Sequence, residues 1–447
     1  MIAPARAAAY QALRQVATAD LGETLLRTRD PLDDPRDRAL TTDLVTGTLR
    51  WRGAIDYQLA HASGKALARL DPEVLDVLRL GAYQLLYLDR VPASAIVNDS
   101  VNLVKAARRQ SAAPFVNAVL RRLARERSGL SWPSRHRTIE YLSIVHSHPE
   151  WLVKRWVDRY GADVAEAWVR FNNVPPMLTL AANRARIGRD ALAARLGDEG
   201  VTTEPTRLAP HGLRVTGGRA LTSVSFTAGL CIVQDEASQL IAEVVAARAG
   251  HRILDVCAAP GGKTVALAAQ AGVAGSVVAA DVRWRRMRLL QATLARCRVA
   301  NAHPVQISQR AALPFHDGAF DAVLVDAPCS GLGTIRRDPD IKWKRASEDL
   351  VALARAQLAL LHRVARAVRP GGRLVYSTCS SEPDENEAVA RAFLADARDF
   401  TLQPLNTLHH LAADVRALAT PDGYFRTDPA RDRLEAFFAA VLGRIVR

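Results

Sequence analysis

Along the first third of the chain, apolar residues recur every three to four positions. In DPEVLDVLRLGAYQLLYLD, Leu75, Leu78, Ala82, Leu85 and Leu86 fall on one helical face, with Asp71 as the expected N-cap and Pro72 at the first helical position. In APFVNAVLRRLARE, Val116, Val119, Leu120 and Leu123 make one stripe, and Arg121, Arg122, Arg125 and Arg127 occupy the other side. Helices of this kind, joined by short polar loops, predict an all-α bundle over residues 1–137. The pattern then changes. EWLVKRWVDRYG predicts a helix stopped at Gly161, MLTLAANRARIGRDALAARLGDEGV a strand, a helix and a glycine turn, and HGLRVTG another short strand. With Pro175-Pro176 and Gly217-Gly218 as punctuation, residues 138–230 are expected to form a small α+β linker domain. From 231 to 447, apolar runs alternate with helices: HRILDV, GSVVAADV, HPVQI, FDAVLVDAP, GGRLVYSTC and a closing EAFFAAVLGRIV. That alternation predicts a doubly wound, mostly parallel α/β sheet.

A length of 447 residues accommodates these three domains. Charge adds a partner: 60 Lys+Arg against 46 Asp+Glu leaves +14, which points to a polyanion, nucleic acid before membrane. The surplus is concentrated between Ser100 and Arg137, where Lys105, Arg108, Arg109, Arg121, Arg122, Arg125, Arg127, Arg135 and Arg137 face one acid, Glu126. Arginines on helix faces grip phosphates without reading bases. A solvated helix face is the plain alternative, and the whole-chain surplus favours RNA docking.

Five scattered cysteines (231, 257, 297, 329 and 379) without a CxxC pair argue against a disulfide framework and against a structural zinc site, so no metal is expected. The N-terminus lacks the apolar core of a signal peptide, and no run approaches the ~20 apolar residues of a membrane span. A soluble, cytoplasmic, monomeric protein is the expectation.

Two strand-like runs end in cysteines, VLVDAP before Cys329 and RLVYST before Cys379, with Asp326 three residues ahead of the first. In open α/β sheets the carboxyl ends of strands form the binding crevice, so both sulfurs can face one pocket. Thiolate attack on an electron-poor ring is the chemistry this suggests, with Asp326 managing the ring's proton. Local chemistry does not choose between the two cysteines. Cys231 and Cys297 are read as packing residues.

A second constellation lies upstream. DVCAAPGGKT runs from a strand end through small residues into a helix, and Asp281 ends the next strand 19 residues beyond Gly262. Small residues admit a ligand close to the backbone, and an acid at that separation accepts hydrogen bonds from ribose hydroxyls. Gly262-Lys263-Thr264 match the end of a phosphate-binding loop, but Cys257 stands where its first glycine belongs, and no GxGxxG is present. An adenine nucleoside without a pyrophosphate, S-adenosylmethionine, fits best. Lys263 either orients Asp326 or the base, or merely solvates a helix end. Downstream, Arg336, Arg337, Lys342 and Lys344 with Trp343 suggest phosphate gripping and base stacking, and Arg283, Arg285, Arg286 and Arg288 a solvated or RNA-adjacent face.

Taken together, VQDEASQL, DVCAAPGGKT, DAPCSGLGT, IRRDPDIKW and YSTCSSEPDENE resemble the Nop/Sun family of RNA cytosine-5 methyltransferases, and the helical N-terminal region resembles the antitermination factor NusB. The resemblance implies a multidomain chain: a NusB-like bundle, a small α+β linker and a Rossmann-like class I methyltransferase domain. It implies that Cys257, Ala258, Ala259, Pro260, Gly261, Gly262 and Lys263 wrap S-adenosylmethionine, with Asp281 on the ribose and Asp326 beside the cofactor. Family members carry an acid after the third strand, near the adenine; this chain has Ser308 at the matching place. The family nominates Cys379 as nucleophile, with Cys329 assisting release. DNA cytosine methyltransferases, which use a Pro-Cys, would nominate Cys329 instead. The implied substrate is small-subunit ribosomal RNA before full assembly, at an unstacked base. The competing readings are a DNA cytosine-5 methyltransferase and a non-catalytic RNA-binding or antitermination factor.

Overall fold

The structure, a computed structural model, describes residues 2–446, and the chain divides into two compact units. One runs to Pro175 and takes in Ile335–Ala346; the other comprises Pro176–Thr334 and the chain from Ser347 onward.

The first unit is helical: α1 (Pro4–Val16), α2 (Leu21–Arg29), α3 (Pro35–Arg50), α4 (Arg52–Ser63), α5 (Pro72–Tyr87), α6 (Ala93–Ala106), α7 (Ala113–Glu126), α8 (Thr138–Val145), α9 (Glu150–Tyr160) and α10 (Ala162–Asn173). Helix α5 packs against α1, α3, α4, α6 and α7. Five neighbours leave it little polar face, so Val74, Val77, Leu80 and Tyr83 are buried beside the expected Leu78, Ala82 and Leu85, while Leu75 and Leu86 are half-buried. On α7 the stripe of Val116, Val119, Leu120 and Leu123 is buried, and Arg121, Arg122 and Arg125, with Arg127 just past its end, are exposed. Each such side chain contributes roughly 1.5–3 kcal/mol by leaving water. Asp71 and Pro72 start α5 as expected, and Gly161 (φ 82°) ends α9. The chain divides after Pro175, so the helices of 138–173, expected in the linker domain, pack with the N-terminal unit; α8 lies on α4 and α9.

The second unit holds two sheets. The smaller is antiparallel, in order β2 (Thr202–Pro205), β3 (Gly212–Gly217), β1 (Thr179–Ala182), β4 (Cys231–Val233). The helix Arg189–Asp198 covers it with Leu192 and Leu196, over a core that includes Leu180, Leu213 and Cys231. Strand β4 thus extends the linker sheet past residue 230.

The larger sheet has strands β5 (Arg252–Val256), β6 (Ser276–Asp281), β7 (Ala302–Gln306), β8 (Phe320–Asp326), β9 (Val368–Thr378), β10 (Phe400–Leu402), β11 (Phe425–Arg426) and β12 (Phe438–Arg444), in the order β10-β12-β9-β8-β5-β6-β7, with β11 beside β12. Strands β7-β6-β5-β8-β9 run parallel; β12 and its neighbours add an antiparallel edge. From β5 the chain goes outward through β6 and β7, then crosses back to β8 on the other side. The strand order therefore reverses at β5/β8, the place where open α/β sheets bind ligands. Largely buried on both faces, the central parallel strands β5, β6 and β8 read as near-continuous apolar runs, whereas the edge strand β7 keeps His303 and Gln306 exposed.

Candidate active site

Register brings the two cysteines together. Strands β8 and β9 are parallel neighbours, with Asp326 opposite Ser377. Cys379 follows the last residue of β9, and Cys329 lies three residues past the end of β8. Beyond the strands the loops remain stitched, Ala327 N donating to Ser377 O (2.8 Å) and Gly333 N to Cys379 O (2.9 Å). The sulfurs of Cys329 and Cys379 stand 3.3 Å apart, as free, partly exposed thiols at hydrogen-bond distance. That hydrogen bond, and burial after it, hold the Cys329 thiol well above its ordinary range.

The Asp326 carboxylate is an acceptor on both oxygens. Lys263 Nζ donates to Oδ2 at 2.6 Å and Ser377 Oγ to Oδ1 at 2.9 Å. Lys263 reaches it from the first turn of the helix Gly262–Ala271, which starts where β5 opens into its loop. Ser377 was not singled out in the sequence, although it stands two residues before Cys379 in YSTC.

In the β5 loop, Cys257 adopts φ 63° and Gly261 φ 106°. A side chain on Gly261 would suffer that conformation and also meet Leu290 Cδ1 at 2.9 Å. Burial pushes the Cys257 thiol up to about 12, which favours its neutral form. Asp281 ends β6, only 2% exposed, and accepts from the backbone N–H groups of Ala259 (3.3 Å) and Arg283 (3.2 Å). The acid expected at the ribose also fixes the loop. Arg286 Nη2 donates to Ala259 O at 2.6 Å, which makes Arg286 part of this loop rather than of a solvated arginine face. Asp255, fully buried in β5, accepts from Thr264 Oγ1 at 2.6 Å, while its Oδ1 has no hydrogen-bond partner among the described residues. Burial pushes its carboxyl up to about 7.

Ser308 lies two residues past β7, exposed. Its Oγ accepts from Arg310 N (3.2 Å) and Ala311 N (3.1 Å). Both lone pairs are engaged, so the hydroxyl is left to donate rather than accept.

The segment after DAPCSGLGT corrects one expectation. Lys342 is fully buried and donates to Arg50 O (2.9 Å), and Trp343 Nε1 donates to Leu49 O (2.6 Å) at the end of α3. Lys344 holds Ala19 O (2.7 Å) and Asp340 (2.6 Å), and Arg336 holds Val174 O (3.0 Å) over the Phe171 ring. Lys342 and Trp343 close the last turn of α3, where carbonyls lack helical partners of their own, and Arg336 closes the end of α10. Lys342 and Trp343 thus spend their donors inside the first unit rather than on phosphate or base, while Arg337 and Lys344 remain exposed. The nine basic residues from Lys105 to Arg137 are all exposed; Arg109, Arg122, Arg127, Arg135 and Arg137 meet acids, Arg121 donates to Asn117, and among the described residues Lys105, Arg108 and Arg125 have no ion pair. Among the described residues no helix is long and apolar enough to cross a membrane.

Known proteins align with this architecture. A family model described as 16S rRNA methyltransferase RsmB/F matches residues 242–443, the NusB family model residues 3–125, and a ferredoxin-like domain of RsmF/B-like methyltransferases residues 148–222. A probable ribosomal RNA small subunit methyltransferase B of Bacillus subtilis is 36% identical over 367 residues, 82% of this chain and 81% of its own. The ribosomal RNA small subunit methyltransferase B of Pseudomonas putida is 36% identical over 395 residues, 87% and 88% of the two chains. Among solved structures, PH0851 superposes with a TM-score of 0.82 at 26% identity over 99% of both chains.

Proposed function

The chain belongs to the 16S rRNA methyltransferase RsmB/F family, and from that premise we propose that it methylates carbon 5 of a cytosine in small-subunit ribosomal RNA through a transient bond from Cys379 to carbon 6. The observation that carries this reading is the pair of strand-end sulfurs, 3.3 Å apart, beside a carboxylate braced by Lys263 and Ser377.

The cofactor of the family is S-adenosylmethionine, and the β5 loop fits it. From Ala258 to Gly262 no side chain is larger than proline, Asp281 stands at the end of the neighbouring strand, and Asp255 keeps one buried oxygen unpartnered. When bound, the cofactor supplies an electrophilic methyl group. Cys257 to Lys263 would wrap it and Asp281 hold its ribose.

On the base, the Cys379 thiolate adds to carbon 6 and breaks the C5–C6 double bond. The electron pair moves to carbon 5 and is shared with the N3 edge, where Asp326 shares a proton with N3. Lys263 and Ser377 keep Asp326 aimed. Once carbon 5 has gained its methyl, it loses its proton to a base. The pair left behind rebuilds the double bond and expels Cys379 as thiolate, with Cys329 assisting. The exposed basic residues of α6, α7 and the chain beyond them bring RNA phosphates to this chain.

Labelled S-adenosylmethionine and unmodified small-subunit RNA test the reading, with nucleoside analysis of the product. Label in 5-methylcytosine is expected. Label in DNA, in another nucleoside, or in nothing overturns it.

A further inference from the structure

Behind the two cysteines lies a carboxylate with no part in the chemistry above. Glu385 is fully buried in the turn before the helix Glu387–Asp396. Its Oε1 accepts from Ser330 N (2.8 Å) and Gln357 Nε2 (2.9 Å). Its Oε2 accepts from Ser380 Oγ (2.6 Å) and from Ser330 Oγ. Ser330 follows Cys329, and Ser380 follows Cys379; the two hydroxyl oxygens are 3.1 Å apart. Four donors and no acceptor suit an ionised carboxylate. The surroundings hold it still: Gln357 Nε2 also binds Pro328 O (3.0 Å), Tyr376 donates to Gln357 Oε1 (3.1 Å) and to the Glu385 carbonyl, and Asn386 Nδ2 binds Ser380 O (3.0 Å).

Resting on the two-cysteine reading above, we infer that Glu385 is the positioning residue of this centre. One buried carboxylate grips the residue behind each sulfur, fixing their separation. Its negative charge, nearer the Cys329 loop by two of its four bonds, keeps Cys329 a thiol and leaves Cys379 as the nucleophile. Backbone bonds from Ala327 N to Ser377 O and from Gly333 N to Cys379 O tie the two loops, and Glu385 adds a side-chain clamp on the residue behind each sulfur. Glu385 never reaches the base. The hydrogen bond to Cys379 raises the Cys329 thiol most, burial next, and the Glu385 charge adds to them in the same direction.

The test uses the full-length protein without RNA first. In a Cys379→Ser background, iodoacetamide alkylation of Cys329 is followed against pH by peptide mass spectrometry. Glu385→Gln is expected to quicken alkylation at pH 8 about tenfold, the equivalent of one pKa unit. An unchanged pH profile in a folded Glu385→Gln protein overturns the inference. With both cysteines present, Glu385→Gln should lower kcat on the order of 10–100-fold, the scale of a misplaced reacting group, with KM for RNA and cofactor little changed. A purely structural role would raise KM and lower the melting temperature without moving the Cys329 profile. If Glu385→Gln does not fold, Ser380→Ala removes one anchor and should lower kcat with the Cys329 profile intact; an unchanged kcat overturns the inference. Alkylation needs no substrate, so a wild-type protein that failed to make 5-methylcytosine would sink the proposed function and leave this test standing.

Discussion

The sulfurs of Cys329 and Cys379 face each other across 3.3 Å, joined by a hydrogen bond and by no covalent bond. Only one of two thiols that share a proton can be the better nucleophile, so removing either gives a different failure. Cys379→Ala is expected to lose turnover by at least about 10³-fold, as when a nucleophile is deleted, and to leave no adduct. Cys329→Ala should still attack, stall before release, and migrate with RNA on a denaturing gel. An adduct with Cys379→Ala and none with Cys329→Ala would exchange the two roles.

Asp326 and Lys263 form a 2.6 Å ion pair, yet their deletions should differ. Asp326→Asn removes the group at the N3 edge, and methyl transfer is expected to fall on the order of 10²–10⁴-fold, the range for a positioned proton-transfer group. Lys263→Gln leaves Asp326 bound to Ser377 Oγ at 2.9 Å, so the loss should be about tenfold or less. Single-turnover kinetics with saturating cofactor separate the two. Equal losses would mean that Lys263 itself serves the base.

Ser308 offers a gain rather than a loss. Its Oγ accepts from two backbone N–H groups and has only a hydroxyl proton to offer an adenine. Ser308→Asp restores the acid that the family carries there; one carboxylate oxygen can keep the turn while the other accepts from the adenine amine. A charge-assisted bond in place of a weaker one is expected to tighten S-adenosylmethionine binding by about 1 kcal/mol, roughly fivefold. Calorimetric titration reads it, and unchanged or weaker binding would show that Ser308 does not lie at the adenine.

The parts of the site visible in the sequence are those whose geometry is local. A strand that ends in Asp326 and another that ends beside Cys379 announce themselves by apolar runs, and the Cys257–Lys263 loop by its small residues. The misread parts depend on partners far along the chain. Lys342 and Trp343 read as a basic, aromatic RNA contact because nothing local shows that the carbonyls of Arg50 and Leu49 will consume their donors. Glu385 stands within YSTCSSEPDENE with no role legible there, since its four donors assemble only once two loops converge. Nothing local shows which neighbours α8 to α10 pack against, since they resemble any amphipathic helices until their buried faces find a partner.

Lys342 yields the last prediction, from its burial alone. The side chain is fully buried, with one acceptor, Arg50 O at 2.9 Å; burial, and then the Arg50 charge, hold its ammonium well below the ordinary lysine range. An unfolded lysine titrates near ~10.4. Between the depressed folded value and that point the unfolded chain binds the proton that the folded chain releases. Stability therefore rises with pH across that window, and the cost is greatest below it. Lys342→Met abolishes this term but strands the Arg50 carbonyl, at about 1–3 kcal/mol. Relative to wild type, the variant should melt higher near pH 7, lose that advantage as pH rises, and melt lower by pH 10. Each kcal/mol is read as roughly 2–4 °C in a chain segment of this size. Scanning calorimetry of both proteins across that range decides it, and a difference that stayed constant with pH would mean that the buried lysine keeps its proton in both states.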